Sequence, residues 1–263
     1  MSWLRIRAVA RRHAFVLWRS PHRLFDVLVW PLVDALLFGS LGVFVARQAG
    51  GDTQAGVAYL LAGILLFHVI YQSQIAVSTG FLEETWSRNI LNLMATPLKE
   101  IEYACGVALF GMAKLAIGIG VVALAAVGFY SFNILDVGWG LLPIGALLLV
   151  AGWSISLFVI GLVLRFGQSA EVFAWGILFV VMPLSGVFYP VESLPGVLQP
   201  VARLLPTTHA FDAARTLLDG DPMPWDELAY SLVGCIAVAA LGLLFLTRML
   251  AVFRRRGYVT RFS

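Results

Sequence analysis

The stretch WGLLPIGALLLVAGWSISLFVIGLVL, residues 139–164, decides the fold. From Ile144 to Val150 it is apolar on every side, and as a helix it is long enough to cross the roughly 30 Å of hydrocarbon that about 20 residues span. A lipid-facing barrel would show alternating segments of about ten residues instead. Backbone polar groups in lipid must be satisfied within their own segment, so helix is the remaining choice. Five further apolar stretches, near 27–46, 57–80, 103–130, 172–188 and 228–250, share this character. The expected fold is all-α: a polytopic integral membrane protein with six transmembrane helices.

The rest of the composition narrows the function. Of 263 residues, 60% are hydrophobic and 13% charged, about half the charge of a soluble domain, which excludes a soluble enzyme. The net charge of +3 comes from 18 basic and 15 acidic residues segregated by region, which argues against disorder and against a nucleic-acid partner. Cys105 and Cys235 lie inside apolar segments and read as packing residues. His13, His22, His68 and His209 lack metal-ligand spacing, and no Ser-His-Asp set falls on one side of the membrane. Gly111, Gly118 and Gly120 suit close helix packing. The first 23 residues carry six arginines and no uninterrupted apolar core, so no removable signal is expected there.

The basic residues orient the chain. Fourteen of the 18 fall on the side of the termini: Arg5, Arg7, Arg11, Arg12, Arg19, Arg23, Arg88, Lys99, Arg165, Arg248, Arg254, Arg255, Arg256 and Arg261. The opposite side holds Arg47, Arg203 and Arg215 against eight carboxylates, and Lys114 lies within a span. Both termini are therefore expected in the cytoplasm.

Three segments are not simple spans. At 100° per residue, residues 3–19 place Trp3, Ile6, Val9, Ala10, His13, Ala14, Val16 and Leu17 on one half and every arginine on the other, the pattern of an amphipathic helix in the membrane interface. It reads either as a positive anchor or as an elbow leading into a moving bundle, and Ser20-Pro21 ends it. The loop Glu83-Glu84-Thr85-Trp86-Ser87-Arg88-Asn89-Ile90-Leu91-Asn92-Leu93-Met94-Ala95-Thr96-Pro97 repeats apolar residues at helical spacing until Pro97. Its ridge rests on the bundle or docks in a partner's groove. The apolar, proline-punctuated segment 188–220 reads as short re-entrant helices capping the outer end.

Ionisable residues within spans usually face a partner or a water-filled cavity. Here they are Asp34 and Lys114, which can pair structurally or contact substrate, and His68. In the second span Phe67, Tyr71, Gln74 and Ser78 form one helical stripe, either interhelical glue or a pathway lining.

Ser185-Gly186-Val187-Phe188-Tyr189-Pro190, Leu194-Pro195, Leu205-Pro206 and Arg215 together resemble the signature region of ABC-2 type exporter permeases, of the NodJ and drug or polysaccharide exporter kind. The loop ending Ala95-Thr96-Pro97-Leu98 resembles that family's coupling helix, and Pro31 with Phe38-Gly39 fits its first span. Arg88-Asn89-Ile90-Leu91 departs from the Gly-Thr-Leu-Glu run of many drug-type members. The resemblance covers nearly the whole chain and implies one transmembrane domain, 1–263. Its parts are an elbow (1–24), spans one and two (27–80), a coupling loop (83–100), spans three to five (103–188), an external re-entrant segment (188–220), span six (228–250) and a cytoplasmic tail (251–263).

It further implies a bacterial inner-membrane homodimer, in contact with membrane lipid, that exports a lipophilic, glycolipid or saccharide substrate. ATP and Mg would be bound by a separate ATPase subunit, seated on Glu84, Trp86, Arg88, Ile90, Leu93, Met94 and Pro97. Gly186, Pro190, Leu194, Pro195, Pro206 and Arg215 would form the external cap, and Phe179 and Met182 would face the stripe across the pathway. The chain lacks a phosphate-binding Gly-x-x-x-x-Gly-Lys-Ser/Thr loop, so no cofactor and no catalysis are expected of it. The rival classes are an ATP-independent ion-coupled transporter and a lipid-handling membrane enzyme.

Overall fold

The computed structural model describes residues 1–256 except 49, 88, 90, 91, 93 and 94. Among these the chain is helical with no strand. The α-helices are α1 (Trp3–Trp18), α2 (Pro21–Gln48), α3 (Thr53–Trp86), α4 (Glu100–Tyr130), α5 (Leu141–Phe166), α6 (Glu171–Leu184), α7 (Gln199–Arg203), α8 (Pro206–Leu218) and α9 (Trp225–Arg256). Helices α2, α3, α4, α5 and α9 are each long and apolar enough to cross a membrane, which makes this a multi-pass membrane protein.

The sixth apolar segment behaves differently from the 172–188 span expected. Its helix has 14 residues with Pro183 inside it, about 21 Å at 1.5 Å per residue. Beyond it Ser185 caps the helix and Gly186 turns the chain at φ +63, so residues 185–188 are not helical.

Burial sorts the long helices into inner and outer. The most apolar windows of α3 and α5 are 67% and 50% buried, against 22–28% for α2, α4 and α9. The two inner helices run parallel in contact, joined where Ser156 Oγ donates to the Gln74 carbonyl at 3.1 Å. Their approach depends on Gly152, where a Cβ would come within 2.6 Å of the Ile70 carbonyl oxygen and overlap the Ser73 hydroxyl. Ile70, Ile144, Leu148 and Leu178 fill the core between α3, α5 and α6, and α9 lies along α5 with Phe245 against Gly161.

At the end where α1 lies, α3 runs to Trp86, four residues further than a coupling loop starting at residue 83 allows. Glu83, Glu84 and Trp86 thus belong to the last helical turn of α3. Pro21 opens α2 as its first residue, where its missing N–H costs nothing.

Replacing Gly152 by Val should lower thermal stability in detergent by about 1–3 kcal/mol through overpacking. Gly145→Ala, where an added Cβ meets nothing within 4 Å, should leave the unfolding curve unmoved.

Candidate functional site

Two polar assemblies, at opposite ends of the bundle, bring together most of the residues singled out in the sequence. The first forms around α1. Its ridge of Ile6, Val9, His13 and Leu17 is buried, seated on α4 at Gly106, where a Cβ would stand 2.6 Å from Val9 Cβ. This ridge of α1 is therefore covered by protein, while Trp3 and Ala14 of the same half stay exposed. His13 stacks on Phe110 at 5.6 Å and meets Tyr103 edge-on; burial pushes its imidazole below its usual range, so it sits there as an apolar ring.

The polar edge of α1 grips both ends of segment 87–99. The Ser2 N–H donates to Glu102 Oε1 at 2.7 Å, and Arg5 Nη1 reaches the Pro97 carbonyl at 2.6 Å and Glu102 Oε2 at 3.3 Å. Arg12 grips Glu84 with both guanidinium nitrogens, and Asn89 Nδ2 donates to the same carboxylate at 2.6 Å. At the start of α2, Arg23 pairs with Glu83 at 2.7 Å. The Glu84 and Glu102 side chains are only 2% and 1% exposed, a position that a carboxylate holds only when bonded. Trp86 and Pro97 are exposed, while Arg88, Ile90, Leu93 and Met94 lie outside the described residues.

The second assembly is centred on Arg215 in α8. Its Nε donates to Tyr59 Oη of α3 at 2.7 Å, its Nη2 donates to the Tyr189 carbonyl at 3.0 Å, and its Nη1 pairs with Asp212. That carbonyl belongs to the turn opened by Gly186, where a Cβ would lie 2.8 Å from it and 2.9 Å from Arg215 Nη2. Ser185 and Thr207 share a hydrogen bond of 2.5 Å, and Gln199 Nε2 donates to the Leu194 carbonyl at 2.9 Å. Pro206 opens α8 and packs on Gly234 of α9. Burial raises the Asp212 carboxyl above its ordinary range, with Arg215 opposing that shift.

His209 adds a second tie, with Nδ1 at 2.6 Å from Glu227 and Nε2 at 2.9 Å from the Arg203 carbonyl. Gly186, Pro190, Leu194, Pro195, Pro206 and Arg215 are thus one connected unit. The Asp212 contact was readable from its i, i+3 spacing; Tyr59, 156 residues away, leaves no local signal.

Between these ends the polar residues of the spans are arranged as follows. His68 Nε2 lies 3.5 Å from Asp34 Oδ2, while its Nδ1 is 3.1 Å from the Ile64 carbonyl. Phe67, Tyr71 and Met182 pack on one core cluster, whereas Phe179 is 68% exposed on the outside of α6. Gln74 and Ser78 are bonded to each other at 3.0 Å and enclosed by protein, so the lower half of the stripe lines no open path in this conformation. Gln72 Oε1 and Gln74 Oε1 are buried without partners.

A family profile described as ABC-2 family transporter protein matches residues 45–248. The chain belongs to the ABC-2 transporter family. Nodulation protein J of Rhizobium meliloti (strain 1021) is 32% identical over 246 residues, 86% of this chain and 84% of that protein. Nodulation protein J of Rhizobium leguminosarum bv. trifolii is 30% identical over 242 residues, 85% and 83% of the two chains. The capsule polysaccharide export inner-membrane protein BexB of Haemophilus influenzae matches over a shorter stretch, 31% identical over 117 residues, 42% of this chain and 43% of that one. The ABC-2 match contains the Arg215 assembly in full, whereas α1 lies ahead of it.

In this ABC-2 transporter, Arg215→Gln should loosen residues 186–220, read as faster amide exchange there and no change in α1. Gly186→Ala, forced to place a Cβ at positive φ, should cost about 1–2 kcal/mol and act on the same residues. Unchanged exchange in both variants would show that the Arg215 contacts do not hold this segment.

Proposed function

We propose that this chain is the permease subunit of an ATP-driven exporter, working as a homodimer in the bacterial inner membrane with both termini in the cytoplasm. In this reading α2, α3, α4, α5, α6 with residues 185–188, and α9 are the six spans. Residues 188–220 are the re-entrant cap, and 83–100 carry the coupling segment. Family membership supports the reading, as do the names of the relatives: nodulation proteins, and capsule polysaccharide export inner-membrane proteins. A saccharide-bearing or glycolipid cargo follows from the latter by analogy.

The observation that carries the mechanism is the grip of α1 on both ends of segment 87–99. A separate ATPase that seats on Trp86, Leu93, Met94 and Pro97 and closes on ATP would push this segment. Because Glu84 and Glu102 are each bonded to α1, the push moves α1, the foot of α3 and the foot of α4 together. Rigid-body displacement of such packed elements is the ordinary route from a local event to alternating access. The cargo path then runs past Phe67, Tyr71 and Met182, with the partly exposed Asp34 as the polar contact within the spans and the enclosed His68 behind it. The ion-coupled alternative would instead assign Asp34 and His68 to proton movement, with no ATPase attached.

The test is purification of tagged protein from its native host in mild detergent, with ATP hydrolysis measured on the eluate. An ATPase subunit near one-to-one, lost together with the activity in the Leu93→Asp/Met94→Asp variant while the permease keeps its size-exclusion profile, is the expected result. A homo-oligomer free of ATPase would overturn the reading in favour of ion coupling.

A further inference from the structure

The outward face of α1 has no role in the grip just described. Its buried ridge faces α4, yet Trp3, Leu4, Phe15 and Trp18 on the remaining surface are 65%, 78%, 52% and 78% exposed. Among them run Arg7, Arg11 and Arg19, which make no ion pair among the described residues, although Arg5, Arg12 and Arg23 of the same region all do. The Arg11 guanidinium lies over the Phe15 ring at 5.2 Å. Leu4, Arg7, Arg11, Phe15 and Arg19, together with Arg12, line an open groove of about 840 Å³ along α1.

Depth decides what meets this groove. The helix ends at Trp18, and α2, whose apolar stretch starts near residue 27, begins at Pro21, so α1 lies beside the point where α2 enters the membrane, within reach of the headgroup layer. Large aromatic side chains flanking cationic ones is the composition that this layer selects, the rings taking the acyl boundary and the guanidinium groups taking phosphate. A surface bathed in water alone would leave four large apolar side chains exposed along one short helix. Guanidinium is also the group best matched to a phosphate, binding it through two parallel N–H donors.

We propose that the outward groove of α1 binds the headgroup of an anionic phospholipid, with Arg7, Arg11 and Arg19 on its phosphate-bearing headgroup and Leu4, Phe15 and Trp18 on its acyl chains. The groove shares Arg12 with the contact that ties α1 to Glu84, whereas Arg7, Arg11 and Arg19 take no part in that tie, and its occupancy depends neither on cargo nor on ATP. Each arginine contributes about fivefold in affinity at an anionic membrane surface.

The experiment is native mass spectrometry of the full chain released from nanodiscs containing phosphatidylglycerol and phosphatidylcholine in equal amounts. Wild-type protein should retain phosphatidylglycerol over phosphatidylcholine, and Arg7→Gln/Arg11→Gln/Arg19→Gln should lose that preference by tenfold or more at an unchanged melting temperature. The charge-preserving variant with Lys at the same three positions should keep most of it. Arg47→Gln, at the far end of α2, should match wild type. Equal phosphatidylglycerol retention in the wild type and the Gln variant overturns the proposal. So does a Gln variant that keeps its phosphatidylglycerol but loses a co-purifying ATPase, since the face would then belong to a protein partner.

Discussion

Glu84 and Glu102 are almost fully enclosed at the feet of α3 and α4, where an unbonded carboxylate would be driven to unfold the helix end or to take up a proton. What keeps them is the N-terminal segment carrying α1, beside the Asn89 amide on Glu84 and the Lys99 N–H on Glu102. Arg12 supplies both guanidinium nitrogens to Glu84, and Ser2 with Arg5 supplies N–H donors to Glu102. Both flanks of segment 87–99, at Glu84 and at Pro97 with Glu102, are thus held by one short helix. The same dependence runs the other way: without the seat on α4 at Gly106, α1 would have no fixed register from which to present Arg5 and Arg12.

The far end of the bundle solves a comparable problem with one arginine. The chain leaves helix α6 at Ser185 and turns at Gly186 among largely apolar residues, where its free carbonyls need partners. Arg215 satisfies the Tyr189 carbonyl, Gln199 the Leu194 carbonyl and Thr208 the Ala202 carbonyl. Tyr59 ties the whole cap to α3. The central helix α3 therefore touches both assemblies, through Tyr59 at one end and Glu84 at the other, and it is the most buried of the long helices. A displacement at Glu84 has a continuous, well-packed path to the cap.

The sequence exposes what depends on local periodicity and hides what depends on distant partners. Apolar length gives α2, α3, α4, α5 and α9, and the arginine-free face of residues 3–19 gives α1. It does not say that the ridge of that face is covered by α4, because the glycine that receives Val9 is 97 positions later in the chain. Glu83 and Glu84 read as loop because two adjacent carboxylates end an apolar run, yet they continue α3, with Glu84 stabilised by Arg12 from elsewhere. In sequence Asp34 offers Lys114 as a candidate partner, and its contact with His68 depends on the antiparallel register of α2 and α3, set where Gly42 meets Gly56. The shortened α6 hinges on Pro183 and on the positive φ of Gly186, a conformation that composition alone does not announce.

If α1 and segment 87–99 form one moving body, the distance between them must stay fixed while other distances change. Spin labels at Ala8→Cys and Asn92→Cys, in a chain with Cys105 and Cys235 replaced by Ala, allow this to be read by pulsed electron resonance in the presence of the partner ATPase. A distance distribution unchanged on adding ATP and trapping the closed ATPase, alongside a shift between Asn92→Cys and a label at Val197→Cys in the cap, is the predicted result. A shift between Ala8→Cys and Asn92→Cys with a static cap distance would show that the helix and the segment move apart, and that the bonds to Glu84 and Glu102 do not transmit the motion.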